Sequence, residues 1–143
     1  MTAATVSTPP RLVENILQWR GTGHFARLAL VGAYLQGGLI KLSDFPGAVA
    51  EQAHFGMTPP AFWAVVTIIV ELVGAAMVLT RRWRWLGAGM LGVFTGLAAL
   101  TANAFWTMPM GPERSMAMNA FFEHIGLIGG FVLVAQGAEP RRG

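Results

Sequence analysis

Four long segments of this sequence are almost free of charged residues, and they constrain the fold more than any other feature. They comprise residues 26–42, 61–79, 86–107 and 118–136, and the third contains no charged residue at all. About 20 consecutive apolar residues in a helix cross the hydrocarbon core of a bilayer. Each segment is therefore long enough for one passage.

The composition favours a bilayer over water as the surroundings of these segments. Only 12% of the 143 residues are charged and 54% are hydrophobic, whereas a soluble domain usually has about 25% charged residues. A chain of this size also has a large surface for its volume. The sequence predicts an all-α bundle of four transmembrane helices, in one membrane domain that covers residues 26–143.

Residues 1–25 are more polar and predict a tail followed by a short helix. Charged residues interrupt this region, which is not typical of a signal peptide. After Pro10, the apolar residues fall mainly on one side of a helix that we expect to end at Gly21-Thr22-Gly23. Such a helix suits the membrane interface. The alternative is a frayed, solvated tail, since the segment is short.

Eight of the nine arginines lie on one side of the membrane if there are four spans. They precede the first span, join the second to the third, or follow the fourth: Arg11, Arg20, Arg27, Arg81, Arg82, Arg84, Arg141 and Arg142. Short flanking segments rich in arginine stay in the cytoplasm. The pattern predicts that both termini are cytoplasmic in a bacterial inner membrane. It also argues against a nucleic-acid partner, because tryptophan and arginine at a span boundary are ordinary membrane anchors.

Each predicted span carries small residues at the spacing that lets helices pack closely in lipid. The glycines that we expect at helix contacts are Gly37, Gly74, Gly92, Gly96, Gly126 and Gly130. Polar residues share or adjoin the same faces, namely Lys41, Glu71, Asn103, Glu123 and His124. Because a charge that faces lipid costs several kcal/mol, we expect these side chains to converge in a polar funnel.

Two interpretations of this funnel remain open from the residues alone. In the first, Lys41 pairs with Glu71 or Glu123 and the polar groups only fix the register of the helices. In the second, the funnel is a ligand or proton site, because intramembrane ionisable residues usually mark function. A metal site is not predicted: the chain has no cysteine, and its three histidines are not at ligand spacing.

The order of four segments resembles the DoxX family of small bacterial membrane proteins. These are residues 37–41 (GGLIK), 54–60 (HFGMTPP), 70–74 (VELVG) and 125–130 (IGLIGG). One departure is visible, since family members often have Lys-Asn where this chain has Glu123-His124. The resemblance implies a small subunit that accompanies larger redox proteins, in systems linked to quinones or to oxidative stress.

The residues and the resemblance together suggest an accessory or anchor subunit of a quinone-linked redox complex. It would have no cofactor and no catalysis of its own, and its funnel would bind a quinone headgroup or a small anion. Its expected partners are the lipid bilayer and a larger redox protein or a second copy. One alternative is a small transporter or proton-conducting module that uses Glu71, and another is a purely structural assembly protein.

Overall fold

The computed structural model describes residues 7–138, and all regular structure in this range is helical. The α-helices are α1 (Arg11–Gln18), α2 (Arg20–Ser43), α3 (Phe45–His54), α4 (Pro60–Leu79), α5 (Arg84–Ala102) and α6 (Pro112–Ala138). A single 3-10 turn, Phe105–Thr107, lies between α5 and α6. The predicted all-α class is confirmed. The predictions for Arg141 and Arg142 fall outside the described residues.

Three segments are long and apolar enough to cross a membrane. They are Pro60–Leu79, Arg84–Thr107 and Pro112–Gly137. Helix α2 has 24 residues, which gives it a length of about 36 Å, but polar residues such as Arg27, Gln36 and Lys41 lower its hydropathy. Length and hydropathy thus support three of the four predicted spans.

The N-terminal helix breaks at Trp19 rather than at Gly21-Thr22-Gly23, so the predicted boundary is wrong. Trp19 has an extended backbone, with φ −65° and ψ 129°. The Thr22 hydroxyl donates a hydrogen bond to the Ile16 carbonyl across the break. The two glycines then lie in the first turn of α2, and every side chain of α1 is exposed.

Helix α3 lies between the first two predicted spans, in a stretch for which the sequence predicts no helix. Asp44 caps it, since its carboxylate accepts a hydrogen bond from the Gly47 amide at 3.1 Å. Pro46 follows in the first turn, where its missing amide hydrogen has no cost. Helix α3 packs against α4 and buries Ala48 and Gln52.

The third and fourth predicted segments also have different ends in the structure. Helix α5 ends at Ala102, five residues before the predicted end at residue 107, and the chain turns through Asn103. Phe105 in the 3-10 turn then packs edge-on against Phe121 of α6, with ring centroids 5.6 Å apart. Helix α6 begins at Pro112, six residues before the predicted residue 118.

The four long helices run antiparallel in the order α2, α4, α5 and α6, and their core lies toward one end. The buried cluster consists of Val31, Tyr34, Ala75, Val78, Ala88, Leu91 and Phe131. We call this half of the bundle, which includes the α4–α5 turn, the arginine end. The opposite half, where α2 ends and α4 begins, is the cavity end.

Glycines allow close helix contacts at the arginine end. A Cβ atom at Gly87 would lie 2.7 Å from the Gly74 carbonyl oxygen and 2.8 Å from the Val78 nitrogen. A Cβ at Gly74 would lie 2.9 Å from Leu91, and one at Gly130 would lie 3.0 Å from Leu30. The Gly87 position requires a residue without a side chain, because two of the atoms that a Cβ would meet are backbone atoms. Gly87 is thus a packing glycine that the sequence analysis does not single out.

The other predicted packing glycines behave differently. Cβ atoms at Gly92 and Gly96 would each lie 3.7 Å from a side chain of α6, which is ordinary contact. Nothing lies within 4 Å of the Cβ position of Gly126. The prediction that Gly126 packs against another helix is therefore wrong for the described chain, because this glycine lies on an exposed face of α6.

Candidate functional site

A cavity of about 870 Å³ opens in the cavity end of the bundle. Helices α2, α3, α4, α5 and α6 all contribute to its walls, which are mostly apolar. The polar lining residues include Tyr34, Lys41, Glu51, Gln52, Thr67, Glu71, Thr101, Asn103 and His124. A large apolar pocket with few convergent polar groups is the usual form of a small-molecule site.

An ion pair between Lys41 and Glu71 lies in this cavity. The Lys41 Nζ atom is 3.4 Å from Glu71 Oε1 and 3.7 Å from Glu51 Oε2. The exposed fractions of the side chains fall from 45% for Glu51 through 16% for Lys41 to 8% for Glu71. These three charges therefore form a series from the surface into the bundle.

Gly37 leaves room for this ion pair. A Cβ atom there would lie 3.2 Å from Glu71 Oε1 and 3.5 Å from Lys41 Nζ. The neighbouring Gly38 makes the contact between helices, since its Cβ would lie 2.7 Å from the Leu72 side chain. Gly37 is predicted at a helix contact, and it lies at one, because the ion pair with Glu71 of α4 occupies the space beside it.

The second carboxylate oxygen of Glu71 is the least satisfied polar atom of the site. Glu71 Oε2 is buried and has no hydrogen-bond partner among residues 7–138. An unsatisfied buried acceptor is costly and is uncommon in folded proteins.

Tyr34 and Thr95 lie between the cavity and the buried core. Thr95 Oγ1 is 2.6 Å from the Leu91 carbonyl oxygen and donates its hydrogen there. Since a hydroxyl group has one hydrogen, Tyr34 must be the donor in its hydrogen bond with Thr95. The Tyr34 ring packs edge-on against Phe131, with centroids 5.5 Å apart. This layer joins the cavity wall, which Tyr34 lines, to the buried cluster.

Asn103 and His124 both line the cavity, as the funnel hypothesis expects. Asn103 caps the C-terminal end of α5. His124 Nδ1 is 2.7 Å from the Ala120 carbonyl oxygen, and since a carbonyl only accepts, Nδ1 carries a hydrogen. In a neutral imidazole the Nε2 atom is then an acceptor.

Glu123 does not join the other predicted site residues. It is exposed and is not part of the cavity wall. Successive residues of a helix point about 100° apart, so the inward position of His124 turns Glu123 away. The expectation that Glu123 faces the bundle axis is wrong, and of the two predicted partners of Lys41 the structure shows Glu71.

The sequence analysis misses Glu51, Gln52 and Tyr34 as parts of the site. Glu51 and Gln52 lie on α3, and the capping signal of Asp44 with Pro46 would have indicated that helix. Tyr34 carries no signal beyond its place on an apolar helix. Among residues 7–138, no three His, Asp or Glu side chains are placed to hold a metal ion.

Comparison with known proteins gives a consistent result. The family model described as DoxX matches residues 23–104, more than half of the chain, and this range includes Lys41, Glu51, Glu71 and Asn103. The chain is 25% identical over 110 residues to the inner membrane protein YphA of Escherichia coli (strain K12), which covers 77% of this chain and 78% of that protein. No solved structure matches the chain.

Proposed function

The chain belongs to the DoxX family, and from this premise we propose that it is a four-span protein of the bacterial inner membrane that binds a quinone. Helix α2 supplies the fourth span, because it matches the other helices in length and packs along α4. The relative in Escherichia coli is named as an inner membrane protein. The grouping of arginines at the ends of the spans supports cytoplasmic termini.

The observation that carries the proposal is a mostly apolar cavity in which Lys41 lies between the carboxylates of Glu51 and Glu71. A quinone has a flat ring with two polar oxygens and a long apolar tail. Its ring oxygens would meet Lys41 and Glu71, while the apolar wall would receive the rest of the ring and the start of the tail. The volume of about 870 Å³ is within the range of ligand sites.

The balance of charge favours a neutral ligand over a small anion. Two carboxylates, Glu51 and Glu71, lie near one ammonium group, Lys41. An added anion would meet this excess of negative charge in a partly buried site, where charges interact strongly. A quinone avoids this repulsion, and its reduced form can donate a hydroxyl hydrogen to the Glu71 carboxylate.

The proposed role is that of an accessory or anchor subunit. The chain has no cysteine, so it offers no thiolate ligands for an iron–sulfur cluster. Electrons for a bound quinone would therefore come from a larger redox protein that docks on the bundle. A second copy of the chain is the alternative partner.

Quinone binding can be tested with the purified protein in lipid nanodiscs. A photoreactive quinone should label the wild-type protein in the cavity-lining helices, and unlabelled quinone should compete. We expect Glu71→Gln and Lys41→Met to reduce labelling at least tenfold. Glu113→Gln serves as the control, because Glu113 is exposed at the start of α6 and lies outside the cavity wall.

The same variants separate the rival functions. If Glu71→Gln keeps quinone labelling but abolishes proton flux in liposomes, Glu71 serves proton conduction, and its proposed role in quinone binding is wrong. If the double variant of Lys41 and Glu71 keeps labelling, proton flux and complex assembly, the cavity has no function in any of them. A purely structural role would then be the better interpretation.

A further inference from the structure

A second cluster of charge lies at the arginine end, outside the cavity wall. Arg27 comes from the second turn of α2, Arg81 from the turn that joins α4 to α5, and Arg84 is the first residue of α5. Val31, one turn after Arg27, packs in the same buried cluster as Val78, near the end of α4. Arg84 is half-buried and donates from Nε to the Val78 carbonyl oxygen at 3.3 Å. Three cations are therefore held near one another.

No carboxylate compensates these cations among residues 7–138. Both salt bridges in this range belong to Lys41 at the opposite end. Glu14, the acidic residue of α1, accepts a hydrogen bond from Gln18 instead. The arginine cluster thus has positive charge without a paired negative group in the described chain.

Arg27 also has an unused donor that points to a missing partner. Its Nη2 atom is 3.1 Å from His24 Nδ1, but its Nε atom is buried and lacks a hydrogen-bond partner among the described residues. Burial of a guanidinium group is costly unless it is paired and hydrogen-bonded. Repulsion from the other arginines adds to this cost.

We propose that Arg27, Arg81 and Arg84 bind the phosphate group of an anionic phospholipid. Arginine suits phosphate because its planar group donates paired hydrogen bonds. The cluster lies where α4 ends and α5 begins, which is the level of the headgroups if these helices span the membrane. Trp83 and Trp85 beside it are half-exposed, as aromatic anchors at a membrane interface are. Anionic lipids concentrate at the cytoplasmic surface.

Native mass spectrometry and thermal unfolding in nanodiscs test this site. With the wild-type protein, we expect phosphatidylglycerol to remain bound at least tenfold more than phosphatidylcholine and to raise the unfolding temperature. Arg27→Gln should abolish this preference, and Arg27→Lys should keep only part of it. Arg11→Gln removes an equal charge from the exposed helix α1 and should leave the preference unchanged.

Three results would overturn the assignment. An equal loss with Arg11→Gln would show that only the net charge of the protein attracts the lipid. Protection by inorganic phosphate in pure phosphatidylcholine nanodiscs, as strong as that by phosphatidylglycerol, would assign the cluster to a soluble anion. If Glu139→Gln lowers the unfolding temperature as much as Arg27→Gln does, Glu139 rather than a lipid would be the counter-charge of the cluster.

Discussion

The two ends of the bundle differ in the sign of their charges and in how closely their helices pack. At the cavity end, charges of both signs enter the interior, and the helices leave a cavity of about 870 Å³ between them. At the arginine end, Arg27, Arg81 and Arg84 form a cluster of positive charge. There α4 meets α5 through Gly74 and Gly87. The first arrangement leaves open space inside the bundle. The second holds the helices together and presents its charge to the surroundings.

The same helices therefore combine close packing at one level with open space at another. Helix α4 carries Glu71 toward the cavity and Gly74 toward α5 only one turn later. The layer of Tyr34 and Thr95 joins the cavity wall to the buried cluster. Substitutions in the cavity wall and at the α4–α5 contact should therefore affect different properties.

The largest expected effect is at the ion pair. Lys41→Met leaves Glu71 buried without its cationic partner, and we expect a loss of about 3 kcal/mol in the free energy of unfolding. Glu71→Gln in the same protein should restore most of this loss, because the unpaired charge is then gone. Denaturation in mixed micelles of dodecyl maltoside and SDS measures both variants. If Lys41→Met is as stable as the wild type, the pair does not hold the cavity end.

The next effect should come from the α4–α5 contact. Gly87→Ala would place a methyl group against backbone atoms of α4, and overpacking of this kind costs about 2 kcal/mol. Gly89→Ala on the same helix is the matched control, since nothing lies within 4 Å of its Cβ position. The same denaturation assay compares them. Equal stability of the two variants would contradict the tight contact at the arginine end.

A smaller effect is expected at the layer between the ends. Tyr34→Phe removes one hydrogen-bond donor and should cost about 1 kcal/mol, whereas Thr95→Val leaves the Tyr34 hydroxyl group without its acceptor and should cost about 2 kcal/mol. Thr101→Val is the control, because Thr101 bonds only to backbone of its own helix. Unfolding monitored by circular dichroism gives the three values. A larger cost for Tyr34→Phe than for Thr95→Val would reverse the assigned direction of the bond.

The smallest effect concerns the contact between α2 and α6. Gly130→Ala would bring a methyl group to 3.0 Å from Leu30, whose flexible end can move, so we expect a loss below about 1 kcal/mol. Gly126→Ala should cause no loss, since its surroundings are open. Thermal unfolding in detergent distinguishes the pair. A greater loss of stability with Gly126→Ala than with Gly130→Ala would support the predicted position of Gly126 at a helix contact.

The apolar segments predict the helices well, because each must satisfy its backbone hydrogen bonds internally if it lies in lipid. Helix ends are less predictable. The end of α5 at Ala102 depends on contacts of Phe105 with α6, and a sequence does not reveal such tertiary contacts. Helix α3 is missed although Asp44 and Pro46 indicate its start.

The site is predictable in part for a similar reason. Lys41, Glu71, Asn103 and His124 line the cavity as expected, because polar residues on apolar helices turn inward. Helical spacing alone does not decide which of two adjacent residues, Glu123 or His124, faces inward. The register of α6 against α5 decides between them, and that register comes from packing over the whole length of both helices.

The contact at Gly87 would be the pivot of any tilt between α4 and α5. The two helices touch there almost backbone to backbone, which leaves them little room to shift at this level. Ala102 lies 15 residues farther along α5, a distance of about 22 Å, and a rotation of about 4° at the contact would displace it by about 1.5 Å. A small change of angle at the arginine end would thus become a larger displacement at the cavity end.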